Sequence, residues 1–312
     1  MTGGGAAAPA DAGERLRTPL LRWYAANARP LPWRSSDATP WGVLVSEVML
    51  QQTPVARVQP VWTDWLTRWP APADLAAATA GDAIRHWGRL GYPRRALRLH
   101  RAAQQIVERH GGHVPAEPAD LVHLDGVGGY TAAAVASFAF GRRTAVVDTN
   151  VRRVQARAVS GLALPGPALS AGEVRLAEQL LPRADRLVAR WNVAVMELGA
   201  LVCTARAPAC AGCPLRASCA WVGAGSPAYA GPPRRAQPWS GTARQARGRI
   251  LALLRAAPAP LDGSALQAGT DPAAGASGAL PLDPDQGRRC LAALVAEGLV
   301  EALPRDRYRL PA

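Results

Sequence analysis

Lysine is absent from this chain, and cysteine is nearly so, with five in 312 residues. All 36 residues counted as Lys+Arg are therefore arginine, and against 23 Asp+Glu they leave a formal net charge of +13. No apolar run approaches the length needed to cross a bilayer, which excludes a spanning helix and leaves a soluble protein as the expectation. Disulfides would be the plain use of cysteine in a secreted chain. Residues 1–13, however, are Gly/Ala-rich and lack the charged-then-apolar pattern of a leader. Strand-like alternation is scarce, which excludes an all-β body. What remains is a basic, mainly helical chain long enough for two or three domains. Its arginine excess favours a polyanionic partner, of which nucleic acid is the commonest. Guanidinium also forks onto phosphate and stacks on bases better than an ammonium does.

Apolar periodicity organises the chain. Residues 1–13 are expected to be disordered, and a succession of helices runs from Arg15 to about Cys219. Val55, Val58, Trp62, Trp65 and Trp69 recur at three- and four-residue steps, one face of a helix over 55–69. A second helix over 94–110 stops at Gly111-Gly112, a left-handed cap signal. A third over 184–202 turns Leu187, Val188, Trp191, Val195, Leu198 and Val202 inward and delivers the chain to Cys203. Residues 226–242 have a Pro/Gly/Ser composition that reads as a linker. Beyond it, helices over 243–256, 262–268 and 284–297, a flexible stretch at 269–281 and strands at 299–303 and 307–310 predict a winged-helix-like module over 243–312. Cys290, on its last helix, is expected to be a buried free thiol.

Four segments carry chemistry. Cys203, Cys210, Cys213 and Cys219 are spaced Cys-x6-Cys-x2-Cys-x5-Cys, close enough to wrap one metal centre. Soft sulfur donors suit zinc or an iron–sulfur cube. Zinc sites usually use two Cys-x2-Cys pairs, and the outer gaps here fit a cluster better. In LDGVGGYTAAAV (124–135), Gly126, Gly128 and Gly129 open into an Ala-rich helix. Preceded by a helix at 119–123, this is a hairpin whose exposed amides can seat a DNA phosphate without reading sequence. SEVMLQQT (46–53) sets Glu47 among Val45, Val48, Met49 and Leu50. A carboxylate there is costly unless paired or working, and low-polarity surroundings favour the protonated acid that a leaving group needs. Gln51 and Gln52 suit hydrogen bonding to base edges or insertion into a stack. In VVDTNVRRV (146–154), Asp148 precedes a helix begun by Thr149 and Asn150. It is either an N-cap or the ionised partner of Glu47 in a glycosidic cleavage.

Together these segments resemble the helix–hairpin–helix DNA glycosylases with a [4Fe–4S] cluster. Within them the chain is similar to the MutY-type adenine-excising branch, from about Arg29 to Cys219. The resemblance implies a mainly α fold of two helical lobes with the active site in the cleft between them, over residues 14–225. One lobe would be 40–147 with the hairpin; the other would combine 14–39 with 148–225 and the cluster. It also implies a monomeric, cytoplasmic, nucleoid-associated repair enzyme acting on double-stranded DNA with A:8-oxoguanine or A:G mispairs. Glu47 would protonate adenine N7 and later assist water. Asp148 would stabilise the oxacarbenium-like sugar, with Asn150 and Tyr130 holding the carboxylates. Arg29, Trp33, Arg34, Leu50 and Glu197 match positions around the adenine pocket. Gln52 and Tyr92, in LGYPRRALRLH (90–100), match residues that wedge beside the opposite base. Endonuclease III has a catalytic lysine where this chain has Tyr130, which argues for a monofunctional enzyme without a Schiff base.

Three departures qualify the resemblance. Pro93 stands where the family usually has a second aromatic, and the loop between Cys203 and Cys210 carries only Arg206 as a basic residue. The region beyond 225 is too short and wrongly patterned for the Nudix-like domain that reads 8-oxoguanine in many relatives, so weaker discrimination of that base is expected. The rivals are a thymine or uracil glycosylase acting at G mispairs and a non-catalytic iron–sulfur DNA-binding protein.

Overall fold

The computed structural model describes residues 9–231, 241–270 and 282–312, with 9–12 described by their backbone alone. It forms two compact units: Met1–Val43, Ala116–His123 and Val127–Pro233 make one, and Leu44–Pro115, Leu124–Gly126 and Arg234–Ala312 the other.

The core of the first unit is built from helices Pro9–Asn27, Thr149–Ala158 and Val188–Leu201. Leu16, Leu20, Val151, Val154, Val188, Trp191, Val195 and Leu198 interlock in it. Each stripe follows the three- and four-residue spacing that puts side chains on one helix face. The helix at Pro9 corrects the expected disorder at its inner end, since residues 9–13 are helical. Gly13 is buried against the backbone of Leu180, which holds that first turn down. Residues 1–8 lie outside the described residues. The helix expected over 184–202 is a short 3-10 turn, Asp185–Leu187, followed by Val188–Leu201.

In the second unit, Val55–Arg68 and Arg94–His110 match the expected helices, and Ala80–Trp87 is a further helix that the sequence reading did not mark. Trp65 meets Trp69 and Trp87 edge to face, at centroid distances of 4.9 and 5.5 Å. Val55 and Trp62 are only half-buried. Gly111, at φ 59, ends Arg94–His110 by donating its N–H to the carbonyl of Ile106.

The C-terminal residues follow a winged-helix order: helix Ala243–Ala256, strand β1 (Leu261–Asp262), helices Gly263–Ala268 and Pro284–Ala296, then β2 (Glu301–Leu303) and β3 (Arg307–Arg309). The sheet is antiparallel in the order β1-β3-β2, with Leu261 opposite Tyr308 and Ala302 opposite Tyr308 on the other side. Sequence periodicity missed β1, because two residues leave no period to read. Cys290 is buried and free. Part of the expected linker (232–240) and of the flexible stretch (271–281) lies outside the described residues.

Candidate active site and cysteine cradle

Helix Pro40–Leu50 is buried from Trp41 to Met49, and Glu47 within it is 5% exposed between Val45, Val48 and Met49. Its last carbonyls are met by one cation. The Arg95 guanidinium donates to the carbonyls of Val48 at 2.9 Å, Met49 at 2.8 Å and Gln51 at 2.7 Å. It also reaches Thr53 Oγ1 at 2.9 Å and the carbonyl of Gly91 at 3.1 Å. A cation at a helix C-terminus satisfies orphan carbonyls and opposes the negative dipole end. Burial pushes Arg95 down to about 10, so it stays charged at neutral pH. Its carbon lies 5.0 Å from the Trp87 ring centroid and 5.5 Å from that of Tyr92. Gln52 and Tyr92, the expected wedge residues, are both exposed and both left-handed, at φ 57 and 46. Side chains other than glycine hold such angles only where their surroundings fix them.

Asp148 caps helix Thr149–Ala158: Oδ1 accepts the Val151 N–H at 2.7 Å, and Oδ2 accepts from Asn150 Nδ2 at 2.7 Å. Burial raises its carboxyl above the ordinary value, although these two donors and the charge of Arg153 pull the other way. Asn150 is oriented in turn, its Oδ1 accepting from Arg153 Nη2 at 2.7 Å. Asn150 lies so near the helix Val188–Leu201 that a Cβ on Gly199 would sit 2.7 Å from its own.

Glu197 is fully buried. Arg29 grips it with Nε and Nη2, each at 2.7 Å, and Arg34 Nη1 adds a third bond at 3.0 Å. Burial alone would raise this carboxyl; the hydrogen bonds of Arg29 and the charge of Arg34 outweigh it and hold it below the usual range. Trp33 is buried in the short turn between them.

The hairpin is shorter than expected on its first side, a single turn at Pro118–Leu121 in place of 119–123. Gly126 turns at φ 82, where a Cβ would fall 2.8 Å from that of Arg98. Gly128 caps the helix Gly129–Phe140, and both glycines are exposed with open space where a side chain would stand. Their amides are therefore available to an anion. Tyr130, second in that helix, is half-buried.

Cys203, Cys210, Cys213 and Cys219 are free, half-buried and line one hollow with Val154, Leu198, Leu215 and Trp221. Burial pushes the Cys213 thiol up to about 11 and raises Cys203. Among the described residues no three His, Cys, Asp or Glu side chains converge on a point as a single ion requires. The sulfurs instead surround a space, a donor set that fits a sulfur-ligated cluster. Arg157 fastens the loop: it donates to Cys203 Sγ at 3.3 Å and to the carbonyls of Thr204 at 2.7 Å and Ala163 at 2.8 Å, with Trp221 stacked at 4.9 Å.

Residues 45–165 match the model of the HhH-GPD superfamily of base excision DNA repair proteins. The chain is 48% identical over 294 residues to the adenine DNA glycosylase of Mycobacterium tuberculosis, covering 94% of this chain and 93% of that one. The Mycolicibacterium smegmatis protein of the same name is 45% identical over 93% and 94%. This chain belongs to the adenine DNA glycosylase family. The human member is 43% identical over 65% of this chain and 39% of its own length. Two solved structures share the fold. A thermostable thymine-DNA glycosylase has TM-score 0.61 and 24% identity, over 69% of this chain and 98% of its own. An endonuclease III–DNA complex has TM-score 0.58 and 22% identity, over 69% and 96%.

For an adenine DNA glycosylase family member, the first unit gathers Asp148 with Asn150, Glu197 with Arg29 and Arg34, and the cysteine quartet. Glu47, Leu50, Gln52 and Tyr92 belong to the second unit, where Arg95 bonds to the carbonyls of Gln51 and Gly91, the residues before Gln52 and Tyr92. Three arginines escaped the sequence reading: Arg95, Arg153 and Arg157. Arg95 had a signal, since it lies four residues before Leu99 and eleven before Ile106 on the inward stripe of its helix.

Proposed function

We propose that this protein excises adenine from A:8-oxoguanine or A:G mispairs in duplex DNA at the bacterial nucleoid, as a monomeric, monofunctional N-glycosyl hydrolase. The observation that carries the reading is a carboxylic acid, Glu47, 5% exposed inside an apolar helix that also leads into the exposed Gln52 turn. Adenine is a poor anionic leaving group. Protonation at N7 turns it into a neutral one, and a carboxyl group placed at that atom can supply the proton. Asp148, ionised and aimed by Val151 and Asn150, steadies the positive charge that develops on the sugar. Glu47, once deprotonated, draws a proton from the water that attacks the sugar. Arg29, Arg34 and Glu197 supply a fixed hydrogen-bonding frame for the extruded base, which duplex stacking would otherwise hide. With no lysine anywhere in the chain, no side-chain amine can attack the sugar to form a Schiff base.

The four cysteines would hold a [4Fe–4S] cluster. When bound it ties down the loop beside Arg157 and Arg153, and the proton chemistry requires no electron from it. Exposed amides of Gly128 and Gly129 serve as a phosphate seat at the start of a twelve-residue helix.

The test is single-turnover strand scission, with alkali after incubation, on A:8-oxoguanine, A:G, A:C and T:G duplexes. The expected result is cleavage of the adenine strand. Glu47→Gln should lose about a thousandfold or more in rate while still binding the mispair. Release of thymine from T:G, or undiminished scission by the Glu47→Gln protein, would overturn the reading.

A further inference from the structure

The turn that carries Tyr92 connects helices Ala80–Trp87 and Arg94–His110, and the C-terminal module grips both. On the first helix, the Gly81 N–H donates to the carbonyl of Pro311 at 2.8 Å. Arg255 donates to the Ile84 carbonyl at 3.0 Å, and Arg85 returns a bond to the Arg255 carbonyl at 2.7 Å. On the second helix, its first residue, Arg94, donates to Glu297 at 2.7 Å. Glu297 is shared with Arg247, inside the module, at 2.7 Å. Hydrogen bonds from these two arginines hold the Glu297 carboxyl down at about 2, so it is charged at neutral pH.

Gly81 shows that the docking is built into the sequence. Glycine weakens a helix relative to alanine. Here a Cβ would collide with the Pro311 carbonyl and come within 3.1 Å of Leu310 Cβ, so only glycine admits the last residues of the chain. Between the two gripped helices, Tyr92 keeps a left-handed backbone at φ 46, and Pro93 fixes φ −63 after it. A non-glycine residue holds such a conformation when its surroundings over-determine it.

We propose that the C-terminal module is a positioning element for the Tyr92 turn, with Glu297, Arg255 and the Pro311 carbonyl as its contact points, and that it sets discrimination of the base opposite adenine. This rests on the reading of Tyr92 as a wedge residue. The module thus does by bracing what a lesion-reading domain would do by direct contact, and preorganisation of this kind appears as affinity.

The experiment uses full-length Gly81→Ala and Glu297→Gln proteins, with Arg247→Met as a control that breaks only the pair inside the module. Amide hydrogen exchange at 88–95 is read in the free protein. Dissociation constants are measured with duplexes carrying a non-cleavable 2′-fluoro adenosine analogue opposite 8-oxoguanine or cytosine, and rates at saturating enzyme with ordinary adenine. The expected result is faster exchange at 88–95 in Gly81→Ala and Glu297→Gln. About tenfold weaker binding opposite 8-oxoguanine should accompany it, with little change opposite cytosine and the saturated rate within about twofold. Unchanged exchange in Gly81→Ala would overturn the proposal, as would equal losses in Arg247→Met, which would mark a folding effect. Tighter binding by Glu297→Gln would also overturn it, since Arg94 would then be a phosphate contact that Glu297 masks. The exchange measurement needs no turnover, so it judges the brace even if no adenine is released.

Discussion

Nε of Arg153 lies 2.6 Å from the carbonyl oxygen of Cys203. The same guanidinium donates to Asn150 Oδ1 at 2.7 Å and to the Gly199 carbonyl at 2.6 Å, and Asn150 in turn donates to Asp148. One arginine thus joins the first cysteine of the cradle to the aspartate proposed to face the sugar. Arg153→Met leaves these three acceptors, and the exposed Thr149 carbonyl, without this donor, at about 1 kcal/mol or more for each that water cannot reach. Thermal unfolding should show a loss of about 2–3 kcal/mol. Asn150, free to rotate, would no longer hold Asp148, so adenine release at saturating enzyme should fall about a hundredfold. Arg153→Lys, with a point charge in place of a fork, should recover little. A variant with native turnover would show that the relay is ornamental.

Asp148 makes a prediction about pH. Its folded-state carboxyl titrates above the ordinary value because burial disfavours the charge. The folded protein therefore binds this proton more tightly than the unfolded chain. Stability from the group is fully present below the unfolded value, 3.8, and is lost as pH rises through the folded one. Once ionised, the buried carboxylate is a burden carried for chemistry. In Asp148→Asn the difference in melting temperature, variant minus wild type, should accordingly increase from pH 3.5 upward and then level off. Turnover should be abolished throughout. A difference that shrinks with rising pH would contradict the assignment of burial as the dominant effect.

The features legible in the sequence were those written in local spacing. The stripe Val188, Trp191, Val195, Leu198 and the quartet Cys203 to Cys219 each declare themselves within about twenty residues. Asp148 was legible as an N-cap for the same reason. The arginine contacts were not, because they join side chains to main-chain carbonyls far along the chain. Arg95 reaches back to Val48, and Arg153 reaches forward to Cys203. Any residue presents a carbonyl, so no pattern marks the acceptor. Gly199 and Gly81 were equally silent: both look like helix weaknesses until the neighbour that requires their missing Cβ is known.

The cysteine cradle predicts what iron does for the loop. The protein as isolated should be brown, absorbing near about 400 nm, with about four irons per chain. Arg206 and Arg216 are exposed within the loop, whereas Arg157 is buried beneath it. Chelation of the metal should leave the helical content largely intact and open trypsin cleavage after Arg206 and Arg216. Metal binding and order of the loop are coupled, because apolar burial disfavours the thiolates unless a cation takes them. Stoichiometric zinc with no visible absorption would replace the cluster by a different centre.

Arg95 is a cation whose five bonds go to four carbonyls and one hydroxyl. Replacement by methionine keeps the bulk between Trp87 and Tyr92 but strands those acceptors at the end of the helix that carries Glu47. Each buried orphan costs about 1–3 kcal/mol, partly relieved by water, so a net loss of about 3–5 kcal/mol is expected in denaturant unfolding. Lysine offers three donors from one point and should restore about half of that. The functional consequence separates this residue from an ordinary core contact. Gln52 and Tyr92 sit on two different turns, and Arg95 bonds to both through the Gln51 and Gly91 carbonyls, beside the weaker bonds of Thr53 Oγ1 to the Gln51 and Leu90 carbonyls. In Arg95→Lys, measured at a temperature where the protein remains folded, binding to the A:8-oxoguanine duplex should weaken more than binding to a matched duplex. If both duplexes weaken equally, Arg95 supports the fold and leaves the two turns to hold themselves.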